Sequence, residues 1–119
     1  MYVTQVNLDG FALPIKKLKG TEPVETLNLS RKGLGVLSAI VIAKLIEFNA
    51  VLKKLSLEDC EIYDEGATAL AEGLKANTSL KDLNLNNCGI GTEGGKALAA
   101  ALHVVYSHTR NSYIYHIIS

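Results

Sequence analysis

Tryptophan is absent and aromatic residues make up only 6% of the chain, so a core organised around large rings is excluded. Cysteine occurs twice, too rarely for a disulfide framework, and no Cys-x-x-Cys pair exists to seed a zinc site. An excess of charge is missing as well. Twelve Lys and Arg offset twelve Asp and Glu, which gives no electrostatic reason to expect nucleic acid or an anionic membrane as partner. The most apolar run, Val36 to Ala43, ends at Lys44, at about half the length a bilayer span needs. The start, Met1-Tyr2-Val3-Thr4-Gln5-Val6-Asn7, lacks the charged-then-apolar order of a signal peptide. These absences predict a reducing, cytoplasmic setting. What is present is 119 residues, 48% hydrophobic, enough for one folded unit built from Leu, Ile, Val and Ala.

Self-similarity organises those residues. A shift of 28 places Val24 on Leu52 and Leu80, Leu27 on Leu55 and Leu83, and Leu29 on Leu57 and Leu85. Downstream, Leu34, Ile62 and Ile90 align, as do Ile42, Leu70 and Leu98, and then Ile46, Leu74 and Leu102. Polar and small residues follow the same offset, with Cys60 on Cys88, Gly66 on Gly94 and Asn49 on Asn77. Each unit holds two periodicities. Leu55-Ser56-Leu57 alternates as a strand does, whereas Ala67, Leu70, Ala71 and Leu74 recur at the spacing of a helix. Asp64 and Thr92 stand where helix N-caps belong, and Asn77 where a helix should stop. A strand–turn–helix unit of this size cannot bury its own leucines. Stacking buries them, with parallel strands on a concave face and helices on a convex one.

The residues Leu80-Lys81-Asp82-Leu83-Asn84-Leu85-Asn86-Asn87-Cys88-Gly89-Ile90, followed by Gly94, Leu98 and Leu102, resemble the ribonuclease-inhibitor-like subclass of leucine-rich repeats. The resemblance covers residues 24–103 as three 28-residue repeats and implies an α/β solenoid, a segment of a horseshoe. Residues 1–23 read as a shortened N-terminal repeat, because Val3, Val6, Leu8 and Leu13 copy the strand spacing at an offset of 21. Its helix is expected to be missing, since Pro14 and the short run Lys16-Lys17-Leu18-Lys19 leave little room for one. The first full repeat deviates, with Lys32 where the others carry Cys and Ser38 where they carry Gly. Residues 104–119 read as an atypical tail in which Tyr113, Tyr115 and Ile117 alternate as a short last strand would, a poorly ordered tail being the alternative.

Strand alternation turns Gln5, Asn7 and Asp9, then Thr26, Asn28 and Ser30, then Lys54, Ser56 and Glu58, and finally Asp82, Asn84 and Asn86 away from the core. They form a polar grid, expected four rows deep. The resemblance implies that this face binds a protein partner; ordinary solvated strand positions are the alternative, since the grid lacks the Trp, Tyr and Arg that anchor many interfaces. It also implies that Cys60 and Cys88 point inward and bond loop backbone, a structural role assigned to Asn49 and Asn77 as well. Glu58, Asp59, Glu61, Asp64 and Glu65 crowd one loop, but their register does not match a calcium loop, and a solvated acidic rim is the simpler reading. No His lies beside either Cys in the expected stack, so a Cys–His nucleophile is not supported.

Neutrality conceals an asymmetry. Residues 1–54 carry eight basic and four acidic side chains, and residues 55–119 carry four basic and eight acidic. In a solenoid that separates a basic end from an acidic one and favours head-to-tail self-association. The leading expectation is a non-enzymatic protein-interaction module with no cofactor, no metal, no nucleic acid and no membrane. Two alternatives stand beside it: a GTPase-activating regulator of a Ran-like small GTPase, for which only Arg31 and Arg110 could serve, and an end fragment of a larger leucine-rich repeat receptor or scaffold.

Overall fold

The structure, a computed structural model, describes the backbone of residues 5–8 and 10–109 and the side chains of residues 10–101. In chain order the elements are β1 (Gln5–Leu8), β2 (Phe11–Pro14), α1 (Ile15–Lys19), β3 (Thr26–Asn28), α2 (Val36–Ile46), β4 (Lys54–Ser56), α3 (Tyr63–Ala76), β5 (Asp82–Asn84) and α4 (Thr92–Thr109).

Strands β3, β4 and β5 form one parallel sheet in that order, with Leu27, Leu55 and Leu83 side by side. The pairing outlasts the three-residue strands. Leu29 and Arg31 donate to the Ser56 and Glu58 carbonyls, and Leu57 and Asp59 to those of Asn84 and Asn86, at 2.8–3.0 Å. Alternation sends Leu29, Leu55, Leu57, Leu83 and Leu85 inward, where they meet Ile42, Ile46, Leu70, Leu74 and Leu98 of the helices. This is the alternating strand–helix architecture that the 28-residue period implies. Small residues set how closely the helices lie: a methyl group on Gly73 of α3 would collide with the Ala43 carbonyl of α2.

The N-terminal end departs from expectation. β1 does not join the parallel sheet as a fourth row; it pairs antiparallel with β2 in a separate hairpin, Val6 opposite Leu13. A helix also follows, because Pro14 precedes α1 at its N-cap, where a fixed φ and a missing N–H are tolerated. Gly20, at φ 91, ends α1 after five residues. Leu13, Ile15 and Leu18 are buried and close that end of the core. At the other end α4 runs past residue 103 to Thr109. Asn49 and Asn77 stand just beyond α2 and α3, whereas the sequence has valine, a residue type with no polar group to compete for the backbone, at the same register on α4, position 105. The strand expected around Tyr113, Tyr115 and Ile117 lies outside the described residues.

Candidate functional site

Three polar rungs cross the concave face. The sheet register sets Thr26 beside Lys54 and Asp82, and Asn28 beside Ser56 and Asn84. One turn further on come Ser30, Glu58 and Asn86. Six of these side chains, Thr26, Asn28, Lys54, Ser56, Asp82 and Asn84, line a shallow depression of about 200 Å³ over Leu27 and Leu55. Thr26, Asn28 and Lys54 are exposed. The grid is three strands deep. Gln5 and Asn7 sit on β1 in the other sheet, and Asp9 lies outside the described residues.

The third rung is knitted together. The Ser30 and Ser56 hydroxyls are 2.6 Å apart, the Glu58 amide donates to Ser30 Oγ at 3.2 Å, and Asn86 Nδ2 donates to Glu58 Oε1 at 3.4 Å. Asn28 and Asn84 each accept the amide two residues on, at 2.9 Å, so their side chains also shape the strand exits. Among the described residues, Asn86 Oδ1 is a buried polar atom with no hydrogen-bond partner.

Beside that rung runs a charged one. Arg31, Asp59 and Asn87 occupy one register and share a left-handed backbone, with φ of 58, 58 and 56. Arg31 donates from Nε to Asp59 Oδ2 at 2.9 Å and from Nη2 to Glu58 Oε2 at 3.0 Å, while Asn87 Nδ2 donates to Asp59 Oδ1 at 2.6 Å. The Asn87 hydrogen bond, with Arg31 adding to it, holds the Asp59 carboxyl below the usual carboxylate range. Asp64 is also engaged. Rather than capping its own helix it lies within α3, and its Oδ1 accepts the Gly91 and Gly94 amides at 2.7 and 3.0 Å, at the N-terminus of α4. Glu58, Asp59 and Asp64 of the acidic loop are therefore internal wiring between repeats, while Glu61 and Glu65 are exposed. Among the described residues no group of three or more His, Cys, Asp or Glu could hold a metal ion.

Two buried ladders underlie these rungs. Cys60 Sγ donates to the Leu29 and Glu58 carbonyls, and Cys88 Sγ to those of Leu57 and Asn86, at 3.0–3.7 Å. Both thiols are free and buried, and burial pushes Cys88 up to about 11. Asn49 Nδ2 donates to the Lys17 and Leu18 carbonyls and Asn77 Nδ2 to those of Ile46 and Asn49, while each Oδ1 accepts two amides of the following loop. Asn49 thereby ties α1 to the first full repeat.

Asp64 escaped the sequence reading, which placed it on its own helix; the signal was the Gly-Thr-Glu-Gly-Gly start of α4, which has amides to offer but few side chains to satisfy them. Phe48 escaped as well. It is 79% exposed, and its counterpart on α3 is Ala76.

The Leucine Rich repeat family pattern matches residues 48–71 and 76–99, two segments one period apart. A solved structure titled "Leiomodin-1 Actin-Binding Site 2 (ABS2)" is similar at 28% identity and a TM-score of 0.69, over 75% of this chain and 53% of that one. This chain thus spans about half the length of that structure. No curated protein matches. Among the described residues no helix is long and apolar enough to cross a membrane. A 28-residue period, a parallel strand per period, buried Asn and Cys ladders and both similarities converge: the chain is a leucine-rich repeat protein of the ribonuclease-inhibitor-like subtype.

Proposed function

We propose that this chain is a non-enzymatic protein-interaction module, working in a reducing compartment, that holds its partner on the concave face of the β3–β4–β5 sheet. The observation that carries this reading is the division of labour among polar groups. Glu58, Asp59 and Asp64 are spent on Arg31, on neighbouring amides and on a helix end, whereas Thr26, Asn28 and Lys54 are exposed around the 200 Å³ depression. The backbone draws on Asn28 Oδ1 through the Ser30 amide but makes no such demand on the Thr26 and Lys54 side chains, so a partner can use them. Arg31 is already gripped by Glu58 and Asp59, which weighs against its acting as the catalytic arginine of a GTPase activator. Arg110 lies outside the described residues.

The likeness to the structure titled Leiomodin-1 Actin-Binding Site 2 nominates actin as the first partner to try. Binding of purified actin would be compared between the wild type and Thr26→Arg/Lys54→Glu, a pair of exposed changes that should leave the melting curve in place. Loss of binding in the variant supports the concave face, and undiminished binding sinks it. Absence of actin binding by the wild type removes actin alone, and the same variant then tests the face against partners captured from lysate.

A further inference from the structure

The convex face carries a feature that the repeat does not require. At positions where α3 presents Glu65, Thr68 and Ala76, α2 and its C-terminal end present Leu37, Ile40 and Phe48, which are 59%, 41% and 79% exposed. Phe48 stands just past the end of α2, one turn beyond Lys44. On the same side lies a groove of about 160 Å³ between α2 and α3, floored by Ala43, Ala69 and Gly73 and flanked by Ile40, Lys44 and Glu47 of the α2 side and Glu72 of α3. A cavity of roughly 150 Å³ is enough to take up a benzene ring. Knob and hole thus sit about one helical turn apart, the knob just past the end of α2 and the hole between α2 and α3.

We infer that this patch is a self-complementary docking surface, and that its occupant is a second copy of the chain packed antiparallel across a twofold axis. The charges set the register. Lys44 and Glu47 flank the groove, 3.9 Å apart within one chain. A register that sets Lys44 against Glu47 of the second copy also sets Phe48 against Ala43 of that copy, at the groove floor. One alignment therefore pairs the charges and fills the hole, twice over by symmetry. Because knob and hole belong to the same face, the contact closes into a dimer; a hole elsewhere on the molecule would propagate a fibre. This surface lies opposite the concave sheet and leaves that sheet open.

Sedimentation velocity of the intact chain, across micromolar to near-millimolar concentration, tests the inference. The expected result is a concentration-dependent dimer that Phe48→Ala weakens by at least about tenfold, as removal of a central aromatic anchor does. Lys44→Glu and Glu47→Lys should each weaken it, and the double variant Lys44→Glu/Glu47→Lys should restore it. A wild type that stays monomeric throughout overturns the inference. So does a dimer indifferent to Phe48→Ala, or one that both single charge reversals abolish and the double leaves unrestored. Thermal melts separate a loss of dimer from a loss of fold: Phe48→Ala and Lys44→Glu, at solvent-facing positions, should match the wild type, and for the half-buried Glu47 the dimer is compared at a temperature below the variant's own melt.

Discussion

Replacing Asn77 with Ala removes four hydrogen bonds at a side chain that is 4% exposed. The consequence can be worked group by group. The Asn49 carbonyl keeps a partner, because Ser79 Oγ also donates to it at 3.1 Å. The Ile46 carbonyl likewise keeps the Asn49 amide, at 3.1 Å, when its 2.7 Å donor is removed. The Ser79 and Leu80 amides lose the acceptor that held them at 2.9 and 2.7 Å. At about 0.5–1.5 kcal/mol for each of the four bonds, the loss is about 2–6 kcal/mol. That is a large share of the roughly 5–15 kcal/mol that holds a domain of this size together, and it corresponds to a fall in melting temperature on the order of 10 °C. Urea unfolding followed by circular dichroism measures it, with the slope checked for constancy so that midpoints can be compared. Asn49→Ala should behave alike, since Asn49 has the same bonds one repeat earlier and is 2% exposed. A loss below about 1 kcal/mol at Asn77 would refute the claim that these ladders hold the stack.

Three further outcomes follow from the same geometry. Gly95→Ala should stabilise by up to about 1 kcal/mol, because its added methyl meets nothing within 4 Å and alanine favours helix. Gly73→Ala should destabilise instead, since the methyl strikes the Ala43 carbonyl; equal signs from the two in parallel melts would contradict the close approach of α2 and α3. Asp64→Ala should cost about 1–2 kcal/mol through loss of the α4 amide contacts, and hydrogen exchange should show Gly91 and Gly94 opening first; unchanged protection there would refute the cap. Burial raises the Cys88 thiol from 9.0 to about 11, so the native state prefers it protonated. Its contribution is present in full below pH 9 and is lost as the pH climbs from about 9 to about 11. Stability of the wild type relative to Cys88→Ala should fall across that window, and a flat difference would contradict the thiol's burial.

What the sequence disclosed and what it concealed divide along physical lines. The parallel sheet was legible because every strand repeats Leu-x-Leu at one offset, and a one-residue slip would turn all of those leucines to solvent. The N-terminal hairpin was not, since Val6, Leu8 and Leu13 alternate just as well in an antiparallel pair as in a repeat strand. Asp9-Gly10 was the available signal, a dipeptide that marks a two-residue hairpin turn, and Gly10 adopts φ 79. The concave rungs could be enumerated from alternation alone. Their third dimension could not: that Arg31 reaches Asp59 and Glu58, 28 and 27 residues on, depends on a shared left-handed backbone that aims these side chains along the stack. Asp64 shows the same limit. Cap position was read along one helix, whereas the unsatisfied amides belonged to the next.

The repeats also separate two kinds of position by internal comparison. Where the backbone must be satisfied, successive repeats carry the same residue: Asn49 and Asn77 at the helix exits, Cys60 and Cys88 at the strand exits. Each is buried, and each donates to a carbonyl of the preceding unit. Where side chains face solvent the register diverges, with Thr26, Lys54 and Asp82 on one rung and Ile40, Thr68 and Lys96 along the helices. Stacking sets the first class and leaves the second free. Divergence at a register position therefore marks surface that folding does not need, and both proposed contact faces, concave sheet and α2 patch, are built from it. A substitution in the first class should lower stability and partner binding together. One in the second should change binding while the melting curve stays where it was.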